Sequence, residues 1–253
     1  MTILGIYPSH DSGAALLNDE GEILAAINEG RLIGEKLFWG FPEKSIKTVF
    51  DIAGRSPTDV SQVAVGGQHI AIGKRKSFDE VPTKKRLMEL LSFLPFTGGH
   101  LFSKIGRRLF TAAREDEVWE SRLESVGVNA PVRFFDHHYS HAASTYYTSP
   151  FEEDTLILTL DAQGDFRSST IYTVSDNHKL EIESWTPFYH SMGKYWSYVT
   201  FNLGFTPMRH EGKISGLAAQ GDPSECIDVF RNYMNVDKDA LEFRSRIGCW
   251  NNP

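Results

Sequence analysis

A pattern that occurs twice constrains the fold of this chain more than any other feature. Near the start, Ile3–Tyr7 is a short apolar run that predicts a strand, and Pro8-Ser9-His10-Asp11-Ser12-Gly13 is a polar turn. Ala14–Leu17 then leads through the turn Asn18-Asp19-Glu20-Gly21 into Glu22–Asn28, with Gly21 free to take the positive φ of a tight turn. About 150 residues later the same order returns. Thr155–Leu160 is a β-branched and leucine run, Asp161-Ala162-Gln163-Gly164-Asp165 is the polar loop, and Ser169–Val174 is the next strand. Ser175–His178 is the turn and Lys179–Trp185 the third strand. Two copies of strand, acidic loop and hairpin predict a duplicated, two-lobed α/β fold. Each loop holds an aspartate and a glycine where a first strand ends, a place from which backbone and carboxylate can face phosphates or a metal.

Between the copies the chain is mostly helical. Pro42–Ala53 carries Ile46, Val49, Phe50 and Ala53 at the spacing of one helix face, and Val60–Gly66 predicts a buried strand. Residues 74–108 are basic and aromatic, with Lys74, Arg75, Lys76, Lys84, Lys85, Arg86, Lys104, Arg107 and Arg108. Within them the spacing of Leu87, Leu90, Leu91 and Leu94 predicts a helix. Glu115–Val126 is a further helix and Val132–Phe135 a strand. The expectation is a first lobe over residues 1–150 with a helical insertion around 74–126, and a truncated start of a second lobe over 151–253. In the second lobe Gly193–Leu203 and Ser224–Tyr233 read as helices, while Asp237–Pro253 has no core pattern.

Composition narrows the function classes. The 253 residues are 41% hydrophobic and 23% charged, an ordinary globular balance, and the net charge of −7 is not that of a chain built to coat nucleic acid or an anionic membrane. Cys226 and Cys249 form no CxxC pair, so a disulfide framework is not expected and a reducing cytoplasm is. The N-terminus lacks a basic region followed by an apolar one, and no window approaches the roughly 18 apolar residues that span a bilayer. A soluble cytoplasmic protein with neither nucleic-acid nor membrane partner follows.

The strongest local signal is Asp136-His137-His138-Tyr139-Ser140-His141-Ala142-Ala143-Ser144. His137 and His141 stand four apart, so both imidazoles lie on one helix face and can hold one divalent ion. His138 and His141, three apart, are the competing pair. The bland alternative is a helix N-terminus capped by Asp136 with structural histidines. No glutamate follows the first histidine, which excludes the zinc-protease motif. Iron or manganese usually takes a carboxylate as well, and Asp161 is the candidate. His10 and Asp11 occupy the matching loop of the first copy, and either could accept a proton. Glu211–Ala218 reads as a loop in which Gly212 and Gly216 allow a nucleotide close approach, with Lys213 as phosphate counter-charge and Gly164 in the acidic loop. Arg31, Lys36 and Arg209 are further phosphate candidates, with solvated surface charge as the default.

Taken in order, Leu4-Gly5-Ile6, His10–Leu16, Gly40-Phe41-Pro42, His137–Ser144, Ser149-Pro150-Phe151, Leu158–Asp161 with Gly164, and Gly212–Ala218 resemble one family. It is that of the nodulation-protein and antibiotic O-carbamoyltransferases, whose N-terminal domain is similar to the catalytic subunit of the tRNA threonylcarbamoyl-transferase. The likeness covers residues 3–42 and 134–221. It implies an actin-like, sugar-kinase-like (ribonuclease H-like) fold, and Fe(2+) or a similar divalent metal on His137, His141 and Asp161. A further aspartate ligand of the family falls beyond residue 253. The resemblance also implies ATP and carbamoyl phosphate as substrates, joined as a carbamoyl-adenylate in a separate C-terminal domain. The carbamoyl group then passes to a hydroxyl of a small-molecule acceptor. Two departures stand out: Ala162 replaces the glycine of the acidic loop, and Asn28-Glu29-Gly30-Arg31 replaces a more acidic stretch. The competing readings are an ATP-hydrolysing or phosphotransfer protein of the same fold, and a non-catalytic remnant. The first would want a phosphate loop after the first strand, where Pro8–Gly13 offers a single glycine. Residues 1–253 alone are not expected to complete the transfer.

Overall fold

The computed structural model of the chain describes residues 1–67, 116–151, 154–175 and 177–246. The basic stretch 74–108, its leucine-spaced helix and the last residues of the tail lie outside the described residues. The chain divides into two compact units.

In the first unit, β1 (Thr2–Tyr7), β2 (Gly13–Asn18) and β3 (Ile23–Asn28) form the antiparallel meander that the sequence predicts. β4 (Val60–Gly66) pairs parallel to β1, and β5 (Val132–Phe135) parallel to β4, giving the order β3-β2-β1-β4-β5. Three antiparallel strands followed by two parallel ones on the edge of the first is the ribonuclease H-like arrangement. The period-two alternation puts Leu4, Ile6, Ala14, Leu16, Val63 and Val65 on one buried face. α2 (Glu43–Ala53), which follows the short α1 (Glu29–Ile33), buries Ile46, Val49 and Phe50 in the same core. α3 (Asp116–Glu124) adds Trp119 and Leu123. Each large apolar side chain buried in this way contributes on the order of 1.5–3 kcal/mol.

Two local devices hold this unit's polar loops. Gly13 closes the His10–Ser12 turn, and a Cβ there would meet the Ile27 carbonyl oxygen at 2.8 Å, so only glycine fits. The N-cap of α2 is Pro42, which offers no side-chain acceptor for the first amides of the helix. Glu29, almost fully buried, takes over that task from a distance. Its carboxylate accepts from the Lys44 amide at 3.0 Å, the Ser45 amide at 2.6 Å and the Ser45 hydroxyl at 2.7 Å. A negative group at the positive end of the helix dipole adds to the effect.

The second unit begins as the duplication predicts, with β6 (Leu156–Gly164), β7 (Arg167–Val174) and β8 (Leu180–Pro187) in an antiparallel meander. Its acidic segment differs from the expected loop. β6 continues through Asp161–Gly164 with its pairing interrupted between Leu160↔Ser169 and Gly164↔Arg167, and the turn itself is Asp165–Phe166, at φ 45° and 65°. A bulge lets the strand carry extra residues and re-aim their side chains. α5 (Met192–Asn202), α6 (Glu211–Ala218) and α7 (Ile227–Tyr233) follow.

Two segments correct the sequence reading. Residues 211–218, expected as a glycine-containing loop, form the helix α6. Ile214 is buried, and the Glu211 carboxylate ties the entry by accepting from the Met208 amide at 2.5 Å, which outweighs the cost of about 1 kcal/mol for each helical glycine. The tail from Asp237, expected to lack a core pattern, contributes β10 (Glu242–Ser245), which pairs antiparallel with β9 (Met234–Asp237) just before it. Side-chain hydrogen bonds dock it. Ser184 donates to the Ala240 carbonyl at 2.7 Å, Thr186 accepts from the Phe243 amide at 3.0 Å, and His190 Nδ1 accepts from the Ser245 amide at 3.0 Å. Among the described residues no helix is long and apolar enough to cross a membrane.

Replacing Glu29 with Ala should strand the first amides of α2 and lower stability by about 1–3 kcal/mol, read from chemical denaturation. Glu20→Ala, on the exposed first hairpin, should leave the transition unchanged.

Candidate metal centre

β5 ends at Phe135, and Asp136 turns the chain into α4 (His137–Tyr147). The Asp136 carboxylate accepts from the His138 amide at 3.0 Å and the Tyr139 amide at 3.2 Å, and its carbonyl accepts from the Ser140 amide at 2.9 Å. This is an N-cap made by the residue type best suited to it. The helix that it starts is continuous, so His137 and His141 are one turn apart on one face.

Asp161 stands at the bulge of β6. Its Oδ1 accepts from the Ala162 amide at 2.6 Å, which fixes the carboxylate and turns Oδ2 toward His141, 3.6 Å from Nε2. That separation is too long for a good hydrogen bond. It suits two ligands around one ion, since bonds of about 2.1 Å at the tetrahedral angle put their donor atoms roughly 3.4 Å apart. One donor atom each from His137, His141 and Asp161 lie within 4.8 Å of one another. Two imidazoles and a carboxylate form a donor set that suits iron, manganese or zinc. The competing partner, His138, does not join them; it is fully buried beside the capping carboxylate.

The close quarters at Asp161 explain a second glycine. Ser191, the N-cap of α5, accepts from the Lys194 amide at 3.1 Å and donates to the Asp161 carbonyl at 3.2 Å, so the start of α5 lies on the bulge. A Cβ on Gly193 would come within 2.8 Å of the Ala162 backbone nitrogen and Cα. The room expected from a glycine at position 162 is therefore supplied from the other side, by Gly193.

In the first unit His10 makes an isolated backbone bridge with Trp39, and its ring lies 5.9 Å from both the Trp39 and Tyr7 rings. The Tyr7 ring also lies 6.0 Å from that of His137. Asp11 is exposed at φ 53°, and its carbonyl accepts from the Asn28 side chain at 2.8 Å. Of the phosphate candidates, Gly164 closes the β6 bulge, and Gly212 and Gly216 share one face of α6 with nothing within 4 Å of either position. Lys213 Nζ lies 5.8 Å above the Phe205 ring. Arg31, Lys36 and Arg209 are exposed. Sequence reasoning passed over Tyr7, Trp39, Asn28 and Gly193. Trp39 carried a signal as the residue before the Gly40-Phe41-Pro42 segment, and Asn28 as the first of the Asn28–Arg31 departure; Tyr7 and Gly193 depend on contacts distant in sequence.

Comparison with known proteins gives the chain a family. The model of the family described as "Carbamoyltransferase N-terminus" matches residues 2–251, and the chain belongs to that family. A protein of Synechocystis sp., sll1178, is 29% identical over 98% of this chain and 39% of its own length. MJ1051 of Methanocaldococcus jannaschii is 25% identical over 97% of this chain and 38% of its own. The nodulation protein NolNO of Sinorhizobium fredii is 27% identical over 90% of this chain and 30% of its own. The chain thus spans at most about two fifths of the length of these relatives. Among solved structures, YeaZ from Pseudomonas aeruginosa aligns at 14% identity and a TM-score of 0.35, over 72% of this chain and 64% of that one.

Gly193→Ala should push the bulge away from α5. The expected result is metal affinity lowered at least tenfold by calorimetric titration with Fe(2+) or Mn(2+), with Gly212→Ala, on an open helix face, binding as the wild type does.

Proposed function

We propose that this chain is the metal-bearing part of an ATP-dependent O-carbamoyltransferase, which transfers a carbamoyl group from carbamoyl phosphate, by way of a carbamoyl-adenylate, to a hydroxyl of a small-molecule acceptor. The observation that carries the reading is the convergence of His137, His141 and Asp161 in a chain of the carbamoyltransferase family. In this reading the ligands hold Fe(2+) or a similar divalent ion, which when bound supplies Lewis-acid polarisation of a phosphoryl or acyl oxygen.

The other steps fall to the chain's own side chains. His10, whose ring adjoins those of Tyr7 and Trp39, or Asp11 beside it, takes the proton that the acceptor hydroxyl loses as its oxygen attacks the carbamoyl carbon of the carbamoyl-adenylate and AMP leaves. The open face of α6 at Gly212 and Gly216 lets a nucleotide approach the backbone, with Lys213 opposing phosphate charge and Gly164 leaving room at the bulge. Adenylate formation belongs to a further C-terminal part, a division supported by how little of each relative this chain covers. A cytoplasmic setting, without nucleic-acid or membrane partners, agrees with the acidic charge and the two cysteines.

The metal assignment is tested on this chain by itself. Protein purified without added metal should carry about one iron or manganese per chain, and His137→Ala, His141→Ala and Asp161→Asn should each lose it; metal content unchanged in the variants sinks the assignment. The reaction is tested on a preparation that also holds the adenylate-forming part. Pyrophosphate should be released from ATP only when carbamoyl phosphate is present. Release of orthophosphate from ATP without that dependence would instead favour the ATP-hydrolysing reading.

A further inference from the structure

Two consecutive residues of the second unit stand in the left-handed region of the backbone map. The β6–β7 hairpin closes through Asp165 and Phe166, between the paired residues Gly164 and Arg167, and their φ angles are 45° and 65°. Positive φ at both central positions is the mark of a type I′ turn, normally built from Asn-Gly, Asp-Gly or Gly-Gly because a Cβ crowds the backbone there. Among the described residues no other two neighbours, glycines aside, share this conformation. Asp165 is a usual first residue for such a turn, but a bulky aromatic in the second place is an outlier. Strain of this kind persists only where the surroundings impose it, and it gathers at sites that must be held in one geometry.

Here Phe188 imposes it. The Phe166 ring meets the Phe188 ring edge-on with centroids 6.0 Å apart, and the Phe166 carbonyl accepts from the Phe188 amide at 3.2 Å. Phe188 is buried and opens the 3-10 helix Phe188–His190, which runs directly into Ser191 and α5. That same segment holds the other end of the bulge: Ser191 donates to the Asp161 carbonyl, and Gly193 lies against the Ala162 backbone. Ladder pairing is interrupted between Leu160 and Gly164, so the stretch that carries Asp161 takes its support from elsewhere. It is anchored twice on one short piece of chain, at Asp161–Ala162 and at Phe166. A glycine at 166 would relax the turn and keep the backbone bond, but the tip would lose its ring contact.

We propose that Phe166 is a positioning residue for Asp161: its ring, seated on Phe188, holds the hairpin tip in a strained turn so that the bulge presents the Asp161 carboxylate to a divalent ion at one fixed angle. The proposal rests on the reading of His137, His141 and Asp161 as metal ligands, and adds to them a residue that touches neither metal nor substrate. A residue that only packs the fold loses stability and binding together when it is removed. A strained positioning residue loses binding while stability is kept or gained.

The test compares Phe166→Gly and Phe166→Tyr with the wild type in three measurements. They are Mn(2+) affinity by calorimetric titration, the melting midpoint of the metal-free protein, and NMR-detected deuterium exchange of the Ala162 amide, which donates to Asp161 Oδ1. Phe166→Gly is expected to weaken Mn(2+) binding by roughly 10–100-fold. It should melt at or above the wild-type midpoint, and its Ala162 amide should exchange about tenfold faster or more. Phe166→Tyr keeps both the strain and the ring, and should bind and exchange as the wild type does. Unchanged affinity or unchanged exchange in Phe166→Gly overturns the proposal, and so does failure of Phe166→Tyr to preserve both. A midpoint that falls together with affinity also overturns it and makes Phe166 a packing residue. Wild-type protein that binds no Mn(2+) refutes the metal reading instead. The Ala162 amide then decides the positioning claim alone: faster exchange in Phe166→Gly upholds it and equal exchange overturns it.

Discussion

The hydrogen bonds from the His138 and Tyr139 amides to the Asp136 carboxylate govern more of this molecule than any other contact. They end β5, start α4 and fix the rotation of the helix about its axis. A helix begun one residue earlier or later would turn its faces by about 100° and carry a different pair of side chains toward Asp161. His138, next in the chain, lies fully buried as a consequence, while His137 and His141 take the face that meets the bulge of β6. The cap and the donor set are thus parts of one arrangement, and the reading of Asp136 as a cap and of the histidines as ligands are compatible.

The same economy operates at the other loops. Glu29 caps α2 across the chain because Pro42 cannot, and so joins the hairpin β2–β3, which precedes it, to the helix that covers the sheet. Gly13 and Gly193 are small because backbone passes close by, Ile27 in the first unit and Ala162 in the second. Polar chemistry at the ends of strands demands that loops be held still, and among the described residues the holding is done by backbone packing and single carboxylates.

Much of the fold could be read from the sequence. The strands at Ile3–Tyr7, Val60–Gly66 and Val132–Phe135 and the helix over Pro42–Ala53 fall within a residue or so of the observed elements, because each buries one regular face against the same core. The four-residue spacing of His137 and His141 was equally legible. What escaped notice was held by other means. The β9–β10 hairpin has no apolar period, since Ser184, Thr186 and His190 dock it through hydrogen bonds. Residues 211–218 looked like a loop because two glycines lower helix propensity, and the burial of Ile214 reverses that preference.

The sequence by itself determined the duplicated strand–turn–hairpin pattern, the helix face that carries two histidines and the presence of an aspartate at the end of the second copy's first strand. These are local regularities, set by periods of two and of 3.6 residues that neighbouring side chains must obey. Only the tertiary structure decided that His137 rather than His138 partners His141, that Asp161 turns one oxygen toward them from a bulge, and that Tyr7 and Trp39 flank His10. Each of those depends on the register between segments far apart in the chain, and register follows from how whole faces pack rather than from any residue's neighbours in sequence.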